Sequence, residues 1–95
     1  MKQKTLLKFE ADWCGPCQAV KPAVDILKEE TGSSLNVVPV DIDDPVNAAL
    51  LRKHGVRSVP TFVLIAGEEV LEKQVGAVSL NQLRELVNPH LGRVA

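Results

Sequence analysis

The chain has no tyrosine, one tryptophan and two phenylalanines. A surface that holds single strands by stacking their bases needs more aromatic rings, so the composition speaks against nucleic-acid binding of that kind. An excess of charge of either sign is also missing. Lys and Arg number 11 against 12 Asp and Glu, a formal net charge of -1. That balance supplies no electrostatic pull toward nucleic acid or an acidic membrane. No apolar run approaches the length needed to span a bilayer. Near the N-terminus, Lys8 and Glu10 interrupt the one stretch that could serve as the apolar part of a leader, so a cytoplasmic protein is expected. Cysteine is scarce as well, with two residues, too few for a disulfide scaffold. They stand three apart, at Cys14 and Cys17. A bridge there closes a very short loop and constrains the unfolded chain little. The pair therefore needs an explanation other than stapling.

Repeats, low-complexity tracts and linkers are absent, and 95 residues suit one domain spanning 1–95. Thr5–Ala11 reads as a strand with one better-buried face, Leu7 and Phe9 alternating with Lys8 and Glu10. After Cys17 a helical stripe follows, with Val20, Val24 and Leu27 at three- and four-residue spacing and Ala23 beside them. Pro22 inside that helix should kink it, and Gly32 fits its end. Valine-rich Leu35–Asp41 reads as a second strand. Asp44-Pro45 opens a helix by capping and first-turn chemistry, running to about His54. The apolar run Thr61–Ala66 marks a strand covered on both faces. A turn at Gly67-Glu68 leads into a fourth strand, Glu69–Val75. Ser79 and Gln82 form a capping box for a last helix that ends near Pro89. The order is β-α-β-α-β-β-α. Its opening unit implies a parallel pair and its tight hairpin an antiparallel one. The expected fold is α/β, a four-stranded mixed sheet flanked by three helices.

Cys-x-x-Cys directly after a strand and at a helix start is a redox motif with a mechanism. Unpaired N–H groups and the helix dipole favour a thiolate at Cys14. Cys17 lies one turn further along the same face, within bridging reach. The residues Trp13-Cys14-Gly15-Pro16-Cys17, with Pro22, Val59-Pro60-Thr61, Gly67 and Gly76, closely resemble the thioredoxin family over nearly the whole chain. The resemblance implies the minimal thioredoxin fold and a Cys14–Cys17 disulfide, with Cys14 the nucleophile and Cys17 the resolving thiol. It also implies a cis peptide bond before Pro60. Trp13, Gly15, Pro16, Val59, Pro60 and Gly76 would then form the substrate surface, the backbone at Val59 pairing with an extended substrate segment. The implied activity is reduction of protein disulfides without a cofactor. Its implied partner is thioredoxin reductase or a similar flavoprotein, and its implied role is electron transport and redox homeostasis as a monomer.

The resemblance has departures. It implies a short thioredoxin that lacks the family's N-terminal strand and helix, and this would leave Leu35–Asp41 at the sheet edge, where Pro39 is tolerated. Thioredoxins usually carry a buried aspartate six residues before the first cysteine; Lys8 stands there. Pro39 replaces the family's partner lysine, and Glu10 replaces the usual tryptophan. Lys8 and Glu10 share a strand face that the missing helix would have covered. There they either reach solvent and pair weakly, or Lys8 sits near Cys17 and favours its thiolate, which makes Lys8 a redox-tuning candidate.

Other readings are open to test. A zinc site needs four ligands, and beyond the cysteines only His54 and His90 are available, neither at ligand spacing, so no metal is expected. Asp41, Asp43 and Asp44 read as a capping, solvated loop. A glutaredoxin-like enzyme would depend on glutathione. A thioredoxin-fold binding module would keep its function without either thiol.

Overall fold

A computed structural model describes residues 3–92. Its elements are β1 (Lys4–Glu10), α1 (Gly15–Thr31), β2 (Asn36–Asp41), α2 (Ala48–His54), β3 (Thr61–Ala66), β4 (Glu69–Val75) and α3 (Leu80–Val87). The four strands form one sheet in the order β2-β1-β3-β4. β1 runs parallel to β2 and antiparallel to β3, and β3 and β4 form the antiparallel hairpin. This is the minimal thioredoxin fold in the order read from the sequence.

One expectation needs correction. The resemblance implied a chain lacking the family's N-terminal strand and helix, yet the structure has a strand, β1, and a helix, α1, at its N-terminal end, the two elements read from Thr5–Ala11 and from the stripe after Cys17. Both are full elements because both have apolar surface to bury. Leu6, Leu7 and Phe9 of β1 are buried, as are Val20, Val24 and Leu27 of α1. A second correction follows from the position of β1 inside the sheet. Its two faces are covered alike, Leu6 packing with α1 and α3 and Leu7 and Phe9 with Leu50 and Leu51 of α2. On the face shared by Lys8 and Glu10, Lys8 is buried while Glu10 stays a third exposed.

β2 does lie at an edge of the sheet. Pro39 sits opposite Lys8 in the register and has no N–H to offer a further strand. α1 continues unbroken through Pro22 and stops at Gly32, whose φ of 53° suits a residue without a Cβ and whose N–H reaches the Lys28 carbonyl. The Asp44 carboxylate caps from outside as expected, accepting from the Val46 N–H. What it starts is a 3-10 turn, Pro45–Asn47, that leads into α2. The capping box of Ser79 and Gln82 is present in full. α3 ends at Val87, and Asn88–Leu91 tightens into another 3-10 turn where Pro89 cannot continue an α-helix.

Candidate active site

β1 ends at Glu10, and the chain turns at once: the Cys14 N–H donates to the Ala11 carbonyl at 3.1 Å. The turn leaves Cys14 as the N-cap of α1, in extended conformation, with its sulfur accepting the Cys17 N–H at 3.1 Å. A helix start leaves its first N–H groups without backbone partners. Here one of them is satisfied by the Cys14 sulfur, at a helix end whose dipole favours negative charge. Cys14 and Cys17 form a disulfide, with Cα atoms 5.2 Å apart.

Both cysteines are covered. Cys14 is 3% and Cys17 2% exposed, packed with Ala11 against Ile42 and Val59. In the disulfide-bonded state the Cys14 sulfur folds over the helix end and not outward. Exposed surface lies on either side of it, at Trp13, Gly15 and Pro16. A Cβ on Gly15 would meet nothing within 4 Å, so the surface beside the sulfurs is open space.

The fold gathers most of the sequence-selected residues. Val59 packs on the cysteines, and the Val59-Pro60 bond is cis. The Gly76 N–H donates to the Pro60 carbonyl at 2.8 Å, joining the end of β4 to the start of β3. Gly76 has φ of 96° and open space around its missing side chain, so the backbone conformation, not crowding, calls for glycine there. Trp13 is 69% exposed and leans the other way, its indole N–H donating to the Asp43 carboxylate at 2.8 Å.

Two neighbours were missed. Asp43 was read as part of a solvated loop, and Ile42 was not singled out at all. Both follow β2, thirty residues from the motif, and no local pattern signals them. The loop has capping work as well, the Asp41 carboxylate accepting from the Asp43 N–H. Among the described residues, no group of three or more His, Cys, Asp or Glu is placed to hold a metal ion.

Lys8 does not reach solvent. Its side chain is 6% exposed and forms an ion pair with Glu10 at 2.8 Å, and its ammonium also donates to the Cys17 carbonyl at 3.4 Å. The pair expected between Lys8 and Glu10 is present, with Lys8 covered and Glu10 a third exposed.

Residues 1–89 match the thioredoxin family. The chain belongs to that family. A thioredoxin of Bacillus subtilis is 41% identical over 86 residues, covering 90% of this chain and 81% of the relative. A thioredoxin of Haemophilus influenzae is 41% identical over 86 residues, covering 90% and 78%. Among solved structures, a mutant thioredoxin from Halobacterium salinarum superposes with a TM-score of 0.84 at 38% identity, covering 99% of this chain and 80% of that one. With this kinship and the paired cysteines at a helix start, the chemistry is that of thioredoxins. The chain is a thiol–disulfide oxidoreductase whose active site is Cys14–Cys17, acting as a protein-disulfide reductase.

Proposed function

We propose that Cys14 is the nucleophile and Cys17 the resolving thiol of a general protein-disulfide reductase working as a single monomeric domain. The observation that carries this reading is the bond from the Cys17 N–H to the Cys14 sulfur at the helix start, which favours charge on that sulfur. The Cys14 thiolate attacks one sulfur of a substrate disulfide, forming a mixed disulfide and expelling the first substrate thiolate. The Cys17 thiolate then attacks the Cys14 sulfur, closing the Cys14–Cys17 bond and releasing the second substrate thiolate. Two electrons pass from the dithiol to the substrate, and the protons of the two cysteines balance those taken up by the released thiols. No cofactor takes part.

Substrate would lie as an extended segment across Val59, Pro60 and Gly76, with Trp13, Gly15 and Pro16 beside it. Val59 packs against the cysteines, and its backbone would pair with that segment in a strand-like way. A flavoprotein of the thioredoxin reductase class would return the disulfide to the dithiol. No helix among the described residues is long and apolar enough to cross a membrane, and we place the reaction in the cytoplasm, where such reductases keep dithiols reduced.

The test is trapping. Cys17→Ser should accumulate mixed disulfides on Cys14 that mass spectrometry identifies as protein thiols, and Cys14→Ser should abolish exchange. Failure of the reduced wild-type chain to exchange with any external disulfide at neutral pH would end this reading. Reduction that proceeds only with glutathione as sole donor would point instead to glutaredoxin-like chemistry, and a function that survives loss of both thiols to a binding module.

A further inference from the structure

Against the backbone of Cys17 lies a charged pair, Lys8 and Glu10. Lys8 is a lysine in the middle strand region of the sheet, 5% exposed, on the face covered by α1. A cation so placed must be paired and hydrogen-bonded to be tolerated. Lys8 is both. Glu10, two residues on and therefore on the same strand face, holds it at 2.8 Å, and its remaining contact is the carbonyl of Cys17 at 3.4 Å. That carbonyl belongs to the residue whose sulfur must ionise to complete the reaction. The pair is asymmetric in exposure: the Glu10 side chain is 33% exposed against 6% for Lys8. The negative end is thus partly screened by water while the positive end lies buried against the Cys17 backbone.

The surroundings do not cancel this field. A groove of about 170 Å³ opens over the pair, lined by Lys21, Asp25 and Lys28 of α1 and by Val37 and Pro39 of β2. The α1 groups are exposed and screened by water. β2 contributes no charge beside Lys8, since its register partner is Pro39. Asp41 lies opposite Glu10, one pair further along and exposed. On β3 the register partner of Lys8 is Phe62, which is uncharged.

We propose that Lys8 is a positioning residue for the second half of the reaction: its ammonium, anchored by Glu10, stabilises the Cys17 thiolate as it forms and attacks the mixed disulfide. This rests on the reading of Cys17 as the resolving thiol. The proton of Cys17 passes to water, Lys8 stays charged throughout, and the released substrate thiolate takes up a proton from water. A nearby opposite charge favours the thiolate and so lowers a thiol's pKa. The same interaction favours the dithiol over the disulfide and makes the protein a stronger oxidant than it would be without Lys8.

The experiment follows the two thionitrobenzoate releases when the reduced full-length chain meets a nitrothiobenzoate disulfide reagent. The first release reports attack by Cys14, the second resolution by Cys17. In Lys8→Met the pH midpoint of the second phase should rise by about one unit. Its rate at neutral pH should fall roughly threefold, the lost thiolate fraction being partly offset by greater nucleophilicity. In Glu10→Gln the unscreened ammonium should move the midpoint the opposite way, downward. The first phase should keep its pH profile in both variants. A merely structural role would weaken folding in both and move neither midpoint. Midpoints that stay in place, or move in the same direction, overturn the proposal. If Lys8→Met does not fold, Glu10→Gln decides alone, and a midpoint unmoved or raised rejects the idea. A wild-type chain without a first phase would instead overturn the assignment of Cys14 as nucleophile.

Discussion

His54 ends α2 with its ring 6.0 Å from that of Phe9 and only 9% exposed. Burial first, and the Lys53 and Lys73 ammonium groups second, hold its pKa below the ordinary value of 6.5. The Lys73 ammonium is fixed nearby by the His54 carbonyl at 2.7 Å. With the folded value depressed, the neutral ring is the form that suits the native state. Its contribution to stability is full above pH 6.5, where the unfolded chain is also neutral, and is lost as pH falls below that toward the folded value. Chemical denaturation at pH 7.5 and pH 5 should therefore show lower stability at pH 5, and the pH-dependent difference should shrink in His54→Asn. Single residues were legible where their chemistry is local. Cys14, Cys17, Pro60 and Gly76 are marked by motif and spacing. Lys8 could be named from the sequence, but whether it faced water or the cysteine depends on α1 lying over it, which no neighbouring residue reveals.

α3 shows how far an element can be read from its ends. Ser79 accepts the Gln82 N–H at 3.1 Å, and the Gln82 side chain accepts the Ser79 N–H at 2.8 Å. The reciprocal pair satisfies two donors that the helix start would leave free. α3 has eight residues, too short to persist by propensity alone, so its cap and its two buried anchors, Leu83 and Val87, carry it. Ser79→Ala should cost about 1 kcal/mol, read as a lower urea midpoint at unchanged slope. Bidentate contact from the Arg84 guanidinium to the Glu30 carboxylate ties α3 to α1 on the surface. That tie joins residues 54 positions apart and had no signal in the sequence. Element boundaries slipped where α-helix gives way to 3-10 turn, before Ala48 and after Val87, because both forms use the same caps and prolines.

At the scale of the whole molecule the sheet divides two cores. Leu6, Phe62 and Leu64 meet α1 and α3 on one side, and Leu7, Phe9 and Val63 meet Leu50 and Leu51 on the other. The radius of gyration is 12.6 Å, close to the value of about 12 Å expected for a folded chain of this length. A molecule this small holds about 5–15 kcal/mol of stability in total. Phe62 is fully buried on an inner strand, and Phe62→Ala should cost about 3–5 kcal/mol, a large share of the whole. Thermal unfolding followed by circular dichroism should show the midpoint falling steeply while the Cys14–Cys17 bond stays intact. An unchanged midpoint would mean that the larger core is not what holds the fold together.

Period and punctuation in the chain determined the order of strands and helices and the place of the two cysteines, because alternation, helical spacing, caps and glycine stops act over a few residues and are written where they act. Tertiary structure alone decided the rest. It covered Cys14, brought Val59 to the sulfur pair, tied Gly76 to Pro60, gave Trp13 a partner in Asp43, and set Lys8 against the Cys17 carbonyl. These outcomes depend on contacts between residues far apart in the chain, and such contacts exist only once the sheet has formed and the helices lie on it.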